Sequence, residues 1–331
     1  MTWLRRVLSL IILYMIVVFI VPIIQSYDFE NGLNEDYFSH WFEGHFIPAY
    51  DTSKIEQVYG SQATNIDYSL GSSVSTEGQT VLNSEYEGNF VVKNEPGAFH
   101  MLLVRDGELT GGYTNSPNVS LGMMSIDNMT RDEARATYGE PVEYVRKQWK
   151  RLKVTNNEYD VFDVGNYYVY FFYDIHEGDK ANGMLVLHKD EIIDISELYN
   201  HPSIEDNELM HYYLLNASRH EYGYQMLERN AEVDQVAYQH SLDMAERNFF
   251  DHNDPDGNGL KERLMENNVA YTYAGENIAT GHTSPIFAHH SLLNSPSHRV
   301  NILNDKFTSV GIGVEYNQDQ VPYYTENFLQ Q

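Results

Sequence analysis

Cysteine is absent from the 331 residues of this chain, and basic residues are scarce, with 21 lysines and arginines against 48 acidic residues. The lack of cysteine excludes disulfides, thiolate metal sites and thiol nucleophiles. Because the formal net charge is −27, the chain repels nucleic acid and anionic headgroups at long range, and we expect no nucleic-acid partner. The sequence also lacks a His-Glu-x-x-His motif, a Gly-x-Ser-x-Gly turn and a phosphate-binding Gly-Lys-Ser/Thr loop. Whether the chain is an enzyme therefore stays open.

The amino-terminal segment is almost wholly apolar from Val7 to Ile24. This length is near the lower limit for an α-helix that crosses a bilayer core about 30 Å thick. Arg5 and Arg6 precede the run, and no acidic residue lies between Met1 and Ser26. The positive-inside tendency then keeps the amino terminus in the cytoplasm and exports the rest. Residues 1–26 are therefore predicted to be a transmembrane signal anchor, in a single-pass protein of the cell membrane whose carboxyl-terminal part is extracellular.

A cleaved signal peptide is the competing interpretation of this segment. Such peptides have a shorter apolar region and small residues at a cleavage site, whereas this run ends Pro22-Ile23-Ile24-Gln25-Ser26-Tyr27.

Of the 21 basic residues, Arg5 and Arg6 precede the run, so 19 remain against 48 acidic residues in the exported part, a net charge of −29. An exported part without cysteine is typical of a bacterial cell surface, and a Gram-positive one in particular.

Three further regions follow the apolar segment. Residues 27–54 form an acidic, aromatic linker, and residues 55–200 read as a β-rich domain. Within it, the segment Met101–Leu109 is echoed by Met184–Ile192, each resembling a strand, a charged turn and a second strand, so two diverged repeats of about 80 residues are expected. A short helix is predicted at Thr130–Tyr138 and a buried strand at Tyr167–Tyr173.

Residues 205–331 show helical periodicity first and strands last. Apolar residues recur at intervals of three and four from Leu209 to Leu227 and again from Val233 to Ala245. Shorter helices are predicted at 260–266 and 285–294, and strands at 310–316 and 322–328. Helices that flank a small, mostly antiparallel sheet form a layered α+β domain.

Three residues in this region could carry chemistry. His252, Glu276 and His298 lie 24 and 22 residues apart, each at the end of an element. Two imidazoles and a carboxylate suit zinc or another divalent cation, with a position left open for water. The same groups could act as acid and base on a hydrolysable substrate. From spacing alone, three polar surface residues without a function explain the pattern better.

A series of motifs places these residues in a wider context: Asn216-x-x-Arg219, Ala237-x-x-His240-Ser241, Phe249-Phe250-x-His252, Asp254-Pro255-Asp256-Gly257, Gly275-Glu276-Asn277-Ile278, Asn294-Ser295-Pro296-x-His298-Arg299 and Gly311-Ile312-Gly313-Val314. Their order resembles the CAP superfamily of cysteine-rich secretory proteins, venom allergens and plant pathogenesis-related proteins, and most of all its cysteine-free bacterial branch. The match covers about residues 207–331. The β-rich region before it is similar to the CAP-associated amino-terminal domain.

The resemblance implies an α-β-α sandwich with a cleft that carries two histidines and two acidic residues, a tetrad that binds zinc or another divalent cation in some members. Motif by motif, His252 and His298 take the places of the histidines, and Glu276 that of the acid in the Gly-Glu-Asn motif. The fourth member usually comes from the helix before His298, which has no acid here. His290 is the candidate substitute, so the expected metal ligands are His252, Glu276, His298 and His290.

Three functions fit this description. The first is an extracellular CAP protein of the bacterial envelope that binds a wall component, a lipid or a protein partner. The second is a metal-dependent hydrolase, a peptidase or wall amidase, in which the metal polarises a bound water. In the third, the histidines and Glu276 form a hydrogen-bonded cluster that only braces loops.

Overall fold

The computed structural model describes residues 65–95, 97–147, 150–192 and 201–331, together with the backbone of two short strands, β1 (Tyr27–Asp28) and β2 (Gly32–Leu33). The predicted anchor at residues 1–26 lies outside these residues, as does most of the linker at residues 27–54. Among the described helices, none is long and apolar enough to cross a membrane. Residues Pro48–Gln331 form one compact unit.

The amino-terminal part of this unit is β-rich, as predicted, with one short helix. Its elements are β3 (Ile66–Tyr68), β4 (Thr80–Leu82), β5 (Asn89–Lys93), β6 (His100–Arg105), β7 (Glu108–Thr114), β8 (Val119–Leu121), α1 (Arg131–Tyr138), β9 (Tyr144–Lys147), β10 (Lys150–Lys153), β11 (Tyr159–Val164), β12 (Tyr167–Asp174) and β13 (Lys180–His188). Helix α1 begins where the sequence predicts, because Thr130 and Glu133 form a capping box.

The main sheet has seven strands in the order β11-β12-β13-β7-β6-β5-β4. It consists of two antiparallel meanders that meet where β13 pairs with β7. Gly111 permits this close pairing, since a Cβ atom there would lie 2.1 Å from the carbonyl oxygen of Val186. The sheet therefore contains two three-stranded meanders side by side, β11-β12-β13 and β7-β6-β5, and β4 extends the second one.

The predicted hairpin at Met184–Ile192 differs from what the structure contains. Its first counterpart, Met101–Leu109, does span the β6–β7 hairpin, but β13 is followed by a 3₁₀ turn at Lys189–Glu191. By position in the two meanders, β13 corresponds to β7 rather than to β6. The sequence echo aligned the wrong strands because apolar runs in neighbouring buried strands look alike.

The carboxyl-terminal part is a three-layered domain. Its elements are α2 (Ile204–Glu221), β14 (Glu228–Arg229), α3 (Ala231–Arg247), α4 (Leu260–Glu266), β15 (Tyr273–Thr280), α5 (Pro285–Asn294), α6 (Pro296–Ile302), β16 (Ser309–Tyr316) and β17 (Pro322–Gln330). The sheet order is β14-β16-β17-β15, with only the short β14 parallel to its neighbour. The predicted helices at 260–266 and 285–294 and both predicted strands are confirmed.

Successive side chains along each strand point to opposite faces of this sheet. Helix α3 packs closely on one face, where a Cβ atom at Gly311 or Gly313 would lie 2.2 or 2.1 Å from its backbone. Ile312 and Phe328 point to the opposite face and pack in one core with residues of α2, α5 and α6. The domain is thus an α-β-α sandwich, in agreement with the expectation drawn from the resemblance.

The two domains share a hydrophobic core. Tyr113 and Phe172 of the seven-stranded sheet pack together with Leu214 of α2 and Ile286 of α5. A buried ion pair, Asp174 Oδ2 to Arg299 Nη2 at 2.8 Å, also joins β12 to α6. Because both apolar packing and a buried charge pair cross the junction, the domains form a single folded body within Pro48–Gln331.

Candidate functional site

His252 and Glu276 lie next to each other at the edge of the CAP-like domain. His252 follows α3, which is capped at its carboxyl end by Asn248 in the left-handed conformation, and Glu276 lies in the middle of β15. The Nδ1 atom of His252 is 3.0 Å from Oε1 of Glu276. The imidazole is 53% exposed, whereas the carboxylate is almost completely buried. The sequence prediction that these two residues converge therefore agrees with the structure.

The carboxylate of Glu276 has a cationic partner that the sequence did not indicate. Nη2 of Arg263, on α4, lies 2.6 Å from Oε2, and Nη1 of the same residue donates to the carbonyl oxygen of His252 at 2.9 Å. Burial by itself would raise the pKa of Glu276, but the hydrogen bond with His252 and the charge of Arg263 outweigh it and lower the pKa. Glu276 is therefore held as an ion-paired carboxylate.

His298 lies on α6, on the far side of β15 from α4. Its Nδ1 atom is 2.8 Å from Oγ of Ser295, and its carbonyl oxygen accepts a hydrogen bond from Asn277 at 3.2 Å. Burial lowers the pKa of this imidazole to about 4, so it is neutral at physiological pH. His252, Glu276 and His298 are called the cleft group below.

The fourth predicted ligand, His290, makes its contacts at the junction between the domains. Its Nε2 atom is hydrogen-bonded to the hydroxyl of Tyr113 at 2.9 Å, and its ring stacks on Phe172 with a centroid separation of 4.1 Å. Gly183 leaves the room for this packing, since a Cβ atom there would lie 2.5 Å from Nε2. The side chain thus fastens α5 to the β-rich domain.

As arranged, the cleft group does not fit a divalent cation. Nη2 of Arg263 lies 2.6 Å from Oε2 of Glu276, and this guanidinium would repel a metal bound to the same carboxylate. Within the part of the chain that the structure describes, one set of three ligating side chains has its ligand atoms within 4.8 Å of one another, and it is a different set. The metal predicted at His252, Glu276, His298 and His290 stays a prediction that this geometry does not favour.

That other set consists of His211 on α2, His289 on α5 and Glu326 on β17, and is called the interior group. All three residues are fully buried. Sequence reasoning missed them because each looks like a lone polar residue on an otherwise apolar element. The sequence did contain a signal for this group. Glu326 is an acidic residue within an apolar strand, and the two histidines lie on apolar helices, so these polar residues need partners in the interior.

A cavity of about 330 Å³ lies at the junction of the two domains. Its lining is mainly aromatic and apolar, and includes Tyr159 and Phe172 from one domain and Phe287 from the other. Two acids also line it: burial raises the pKa of Glu85 and that of Glu158 to about 7. Cavities between domains with apolar walls and a few polar groups are typical ligand sites.

Comparisons with known proteins agree with this architecture. Residues 51–197 match the family model described as CAP-associated N-terminal, and residues 212–328 match that of the cysteine-rich secretory protein family, CAP. The chain is 26% identical over 300 residues to the Bacillus subtilis uncharacterized membrane protein YlbC, covering 84% of each chain. It is 36% identical over 100 residues to Bacillus subtilis YkwD, covering 30% of this chain and 39% of that protein.

Two solved structures share the fold. One is an extracellular protein containing an SCP domain from Bacillus anthracis, with a TM-score of 0.65 and 20% identity, covering 86% of this chain and 94% of that one. The other is a cysteine-rich secretory protein from Staphylococcus aureus, with a TM-score of 0.63 and 17% identity, covering 79% of this chain and 91% of that one. Residues 51–197 are therefore a CAP-associated N-terminal domain, and residues 212–328 are a CAP domain of the cysteine-rich secretory protein family.

Proposed function

We propose that this protein is a binding component of the bacterial cell surface, which is held at the membrane by its apolar segment at residues 7–24 and engages a cell-wall ligand through the cavity at the domain junction. The membrane assignment is supported by that segment and by the description of YlbC as a membrane protein, and the outward orientation by Arg5 and Arg6. The extracellular description of the Bacillus anthracis structure is consistent with it.

The observation that carries the proposal is the cavity itself. Its aromatic walls accept apolar or sugar-ring surfaces, and Glu85 and Glu158 lie where a ligand amine or hydroxyl could be bound. The pKa of each acid is raised to about 7. A bound ligand cation would favour the ionised carboxylate, so the acid would release its proton and form an ion pair with the ligand. Wall peptides carry both amines and apolar side chains, so we favour them over anionic lipids, which the acidic surface repels.

The alternative of a metal-dependent hydrolase gains no support from the cleft group. Glu276 is the acid that would act as base or ligand, and it is paired with Arg263 and His252. A carboxylate whose pKa is lowered by a guanidinium is a weak base.

The test is co-sedimentation of the full chain, reconstituted in lipid nanodiscs, with purified peptidoglycan sacculi. Ser291→Phe should fill the cavity from α5 and reduce binding at least tenfold, because Ser291 lines it. Ser75→Phe is the matched control on the exposed surface and should bind as the wild type does. The double variant His252→Ala, His298→Ala should also retain binding.

Loss of binding in the cleft double variant alone would move the ligand to the CAP cleft. Equal binding by all variants would remove the cavity as the binding site. If the wild type does not sediment with sacculi, the wall ligand is excluded, and a parallel flotation assay with vesicles of neutral phospholipid decides whether a lipid takes its place.

A further inference from the structure

The interior group offers a chemistry that neither the cleft group nor the junction cavity has. Its three side chains come from three different elements and converge inside the CAP domain, on the sheet face that α2, α5 and α6 cover. Nε2 of His211 is 2.7 Å from Oε1 of Glu326. Ligand atoms of all three lie within 4.8 Å of one another. Two imidazoles and one carboxylate form the donor set of many zinc sites.

The partners of these side chains orient them as ligands. Oγ of Ser218 is 2.7 Å from Nε2 of His289, and Nδ2 of Asn277 donates to Oε2 of Glu326 at 2.8 Å. Asn277 is itself held by a hydrogen bond from Asn301 at 2.9 Å. In metal sites, hydrogen bonds of this kind fix the tautomer of a histidine and the rotation of a carboxylate.

Two buried nitrogens of the interior group, Nδ1 of His211 and Nδ1 of His289, have no hydrogen-bond partner. Because Nε2 of His289 is 2.7 Å from Oγ of Ser218, its Nδ1 is the ring nitrogen left buried with no hydrogen-bond partner. A neutral imidazole whose proton lies on Nε2 offers a lone pair at Nδ1. Buried nitrogens without a partner are uncommon in folded proteins and call for an explanation.

The buried negative charge of Glu326 also favours a bound cation. The cleft acid, Glu276, is compensated by Arg263, whereas His211 is the one ion-pair partner of Glu326 among the residues that the structure describes. A buried carboxylate needs a compensating charge. A divalent cation would supply it and would also occupy the free nitrogen of His289.

We propose that His211, His289 and Glu326 form a binding site for one divalent cation of the zinc class, inside the CAP domain and separate from the cleft group. In a tetrahedral zinc site the ligand atoms lie about 3.3 Å apart, given bonds of about 2.0 Å. The closest pair here is at 2.7 Å and all are within 4.8 Å, so side-chain adjustments of about 1 Å suffice. Nitrogen and oxygen donors favour zinc over calcium or magnesium.

Calorimetric titration of the metal-free full chain with zinc chloride tests the site directly. The wild type should bind one zinc ion per chain, and its thermal midpoint should rise when zinc is added. Glu326→Gln keeps the shape and a hydrogen-bond acceptor for Asn277 but removes the anionic ligand, so its affinity should fall at least tenfold. The double variant His252→Gln, His298→Gln should bind zinc as the wild type does.

The absence of cysteine permits a second test that does not depend on comparing affinities. In His289→Cys the new thiol is the one thiol of the protein, so an intense thiolate-to-cobalt charge-transfer band after addition of cobalt(II) would show that position 289 is a ligand. His252→Cys is the matched control and should give no such band. Circular dichroism confirms that each variant is folded before it is titrated.

Three results would overturn the proposal. The first is a wild type that takes up no stoichiometric zinc. The second is zinc binding that the cleft double variant loses and Glu326→Gln keeps. The third is a charge-transfer band in His252→Cys but not in a folded His289→Cys.

Discussion

The CAP domain contains two groups of histidine and glutamate, which differ in how their charges are compensated. In the cleft group, Glu276 is paired with Arg263, and His252 is half exposed to solvent. In the interior group, Glu326 is paired with a histidine, and all three members are fully buried. The two carboxylates lie on adjacent strands of one sheet but point to opposite faces, because Glu276 pairs with Asn327 and Glu326 with Asn277.

This difference shows that two groups with the same residue types can differ in their capacity to bind a cation. An acid that a guanidinium already compensates is stable without a further ligand. An acid that is enclosed with two imidazoles depends on their protonation or on a metal. The experiments that follow test this contrast, in order of decreasing effect.

The largest effect is expected from His211→Ala. The substitution leaves the buried carboxylate of Glu326 with no ion-pair partner among the described residues, and removing one member of a buried pair costs about 3–5 kcal/mol. Chemical denaturation in the presence of a chelator measures the change in the free energy of unfolding. Adding Glu326→Gln to this variant should recover part of the loss. A loss below about 1 kcal/mol would mean that the interior group is not a compensated charge pair.

The second effect is on the pH dependence of stability and concerns His298. Its pKa is about 4 in the folded protein and about 6.5 when unfolded, so the unfolded chain binds more protons between these values. Its contribution of about 3 kcal/mol is therefore fully present above pH 6.5 and is lost as the pH falls through 4. Denaturation of wild type and His298→Gln between pH 4 and 7.5 should give a difference that shrinks towards acid. A constant difference would show that His298 is not buried in its neutral form.

A moderate effect is expected from Arg263→Met. It removes the guanidinium from Glu276 and two hydrogen bonds to the loop of His252, and hydrogen bonds to charged groups contribute about 1.5–3 kcal/mol. We expect a loss of about 2 kcal/mol, and a rise in the pKa of Glu276 that nuclear magnetic resonance titration can follow. If the pKa of Glu276 does not move, Arg263 does not set the charge of the cleft.

The smallest effect is expected from His252→Ala. The imidazole is 53% exposed, and exposed ion pairs contribute less than about 1 kcal/mol. Thermal denaturation should therefore barely distinguish this variant from the wild type, in contrast to His211→Ala. A loss as large as that of His211→Ala would remove the distinction between the two groups.

The order of elements in the CAP domain followed from the sequence. The periodicity of 3.6 residues and the proline and glycine positions predicted α4 and α5 at the bounds observed, and the apolar runs predicted β16 and β17. Motif order also placed His252 beside Glu276. Periodicity, apolar runs and motif order are properties of consecutive residues, so they can be recognised in the sequence.

The partners of the functional residues were decided by the tertiary structure. Arg263 is 13 residues from Glu276 in sequence, and nothing in its neighbourhood marks it as the counterion. His290 resembles a cleft ligand by position, yet the turn of α5 directs it to Tyr113 of the other domain, while the preceding His289 meets Glu326 instead. A rotation of about 100° between consecutive helical residues is enough to send two neighbouring histidines to different partners.

The fold, the order of the two domains and the acidic, cysteine-free surface can be inferred from the sequence, because burial patterns and charge are sums over many residues. Which of the histidines and acids meet depends on tertiary packing. His211 and Glu326 are 115 residues apart, and their contact depends on strand alternation and on how α2 packs against the sheet. Such contacts depend on a few side-chain directions, and a single residue of shift in β17 would turn Glu326 to the opposite face.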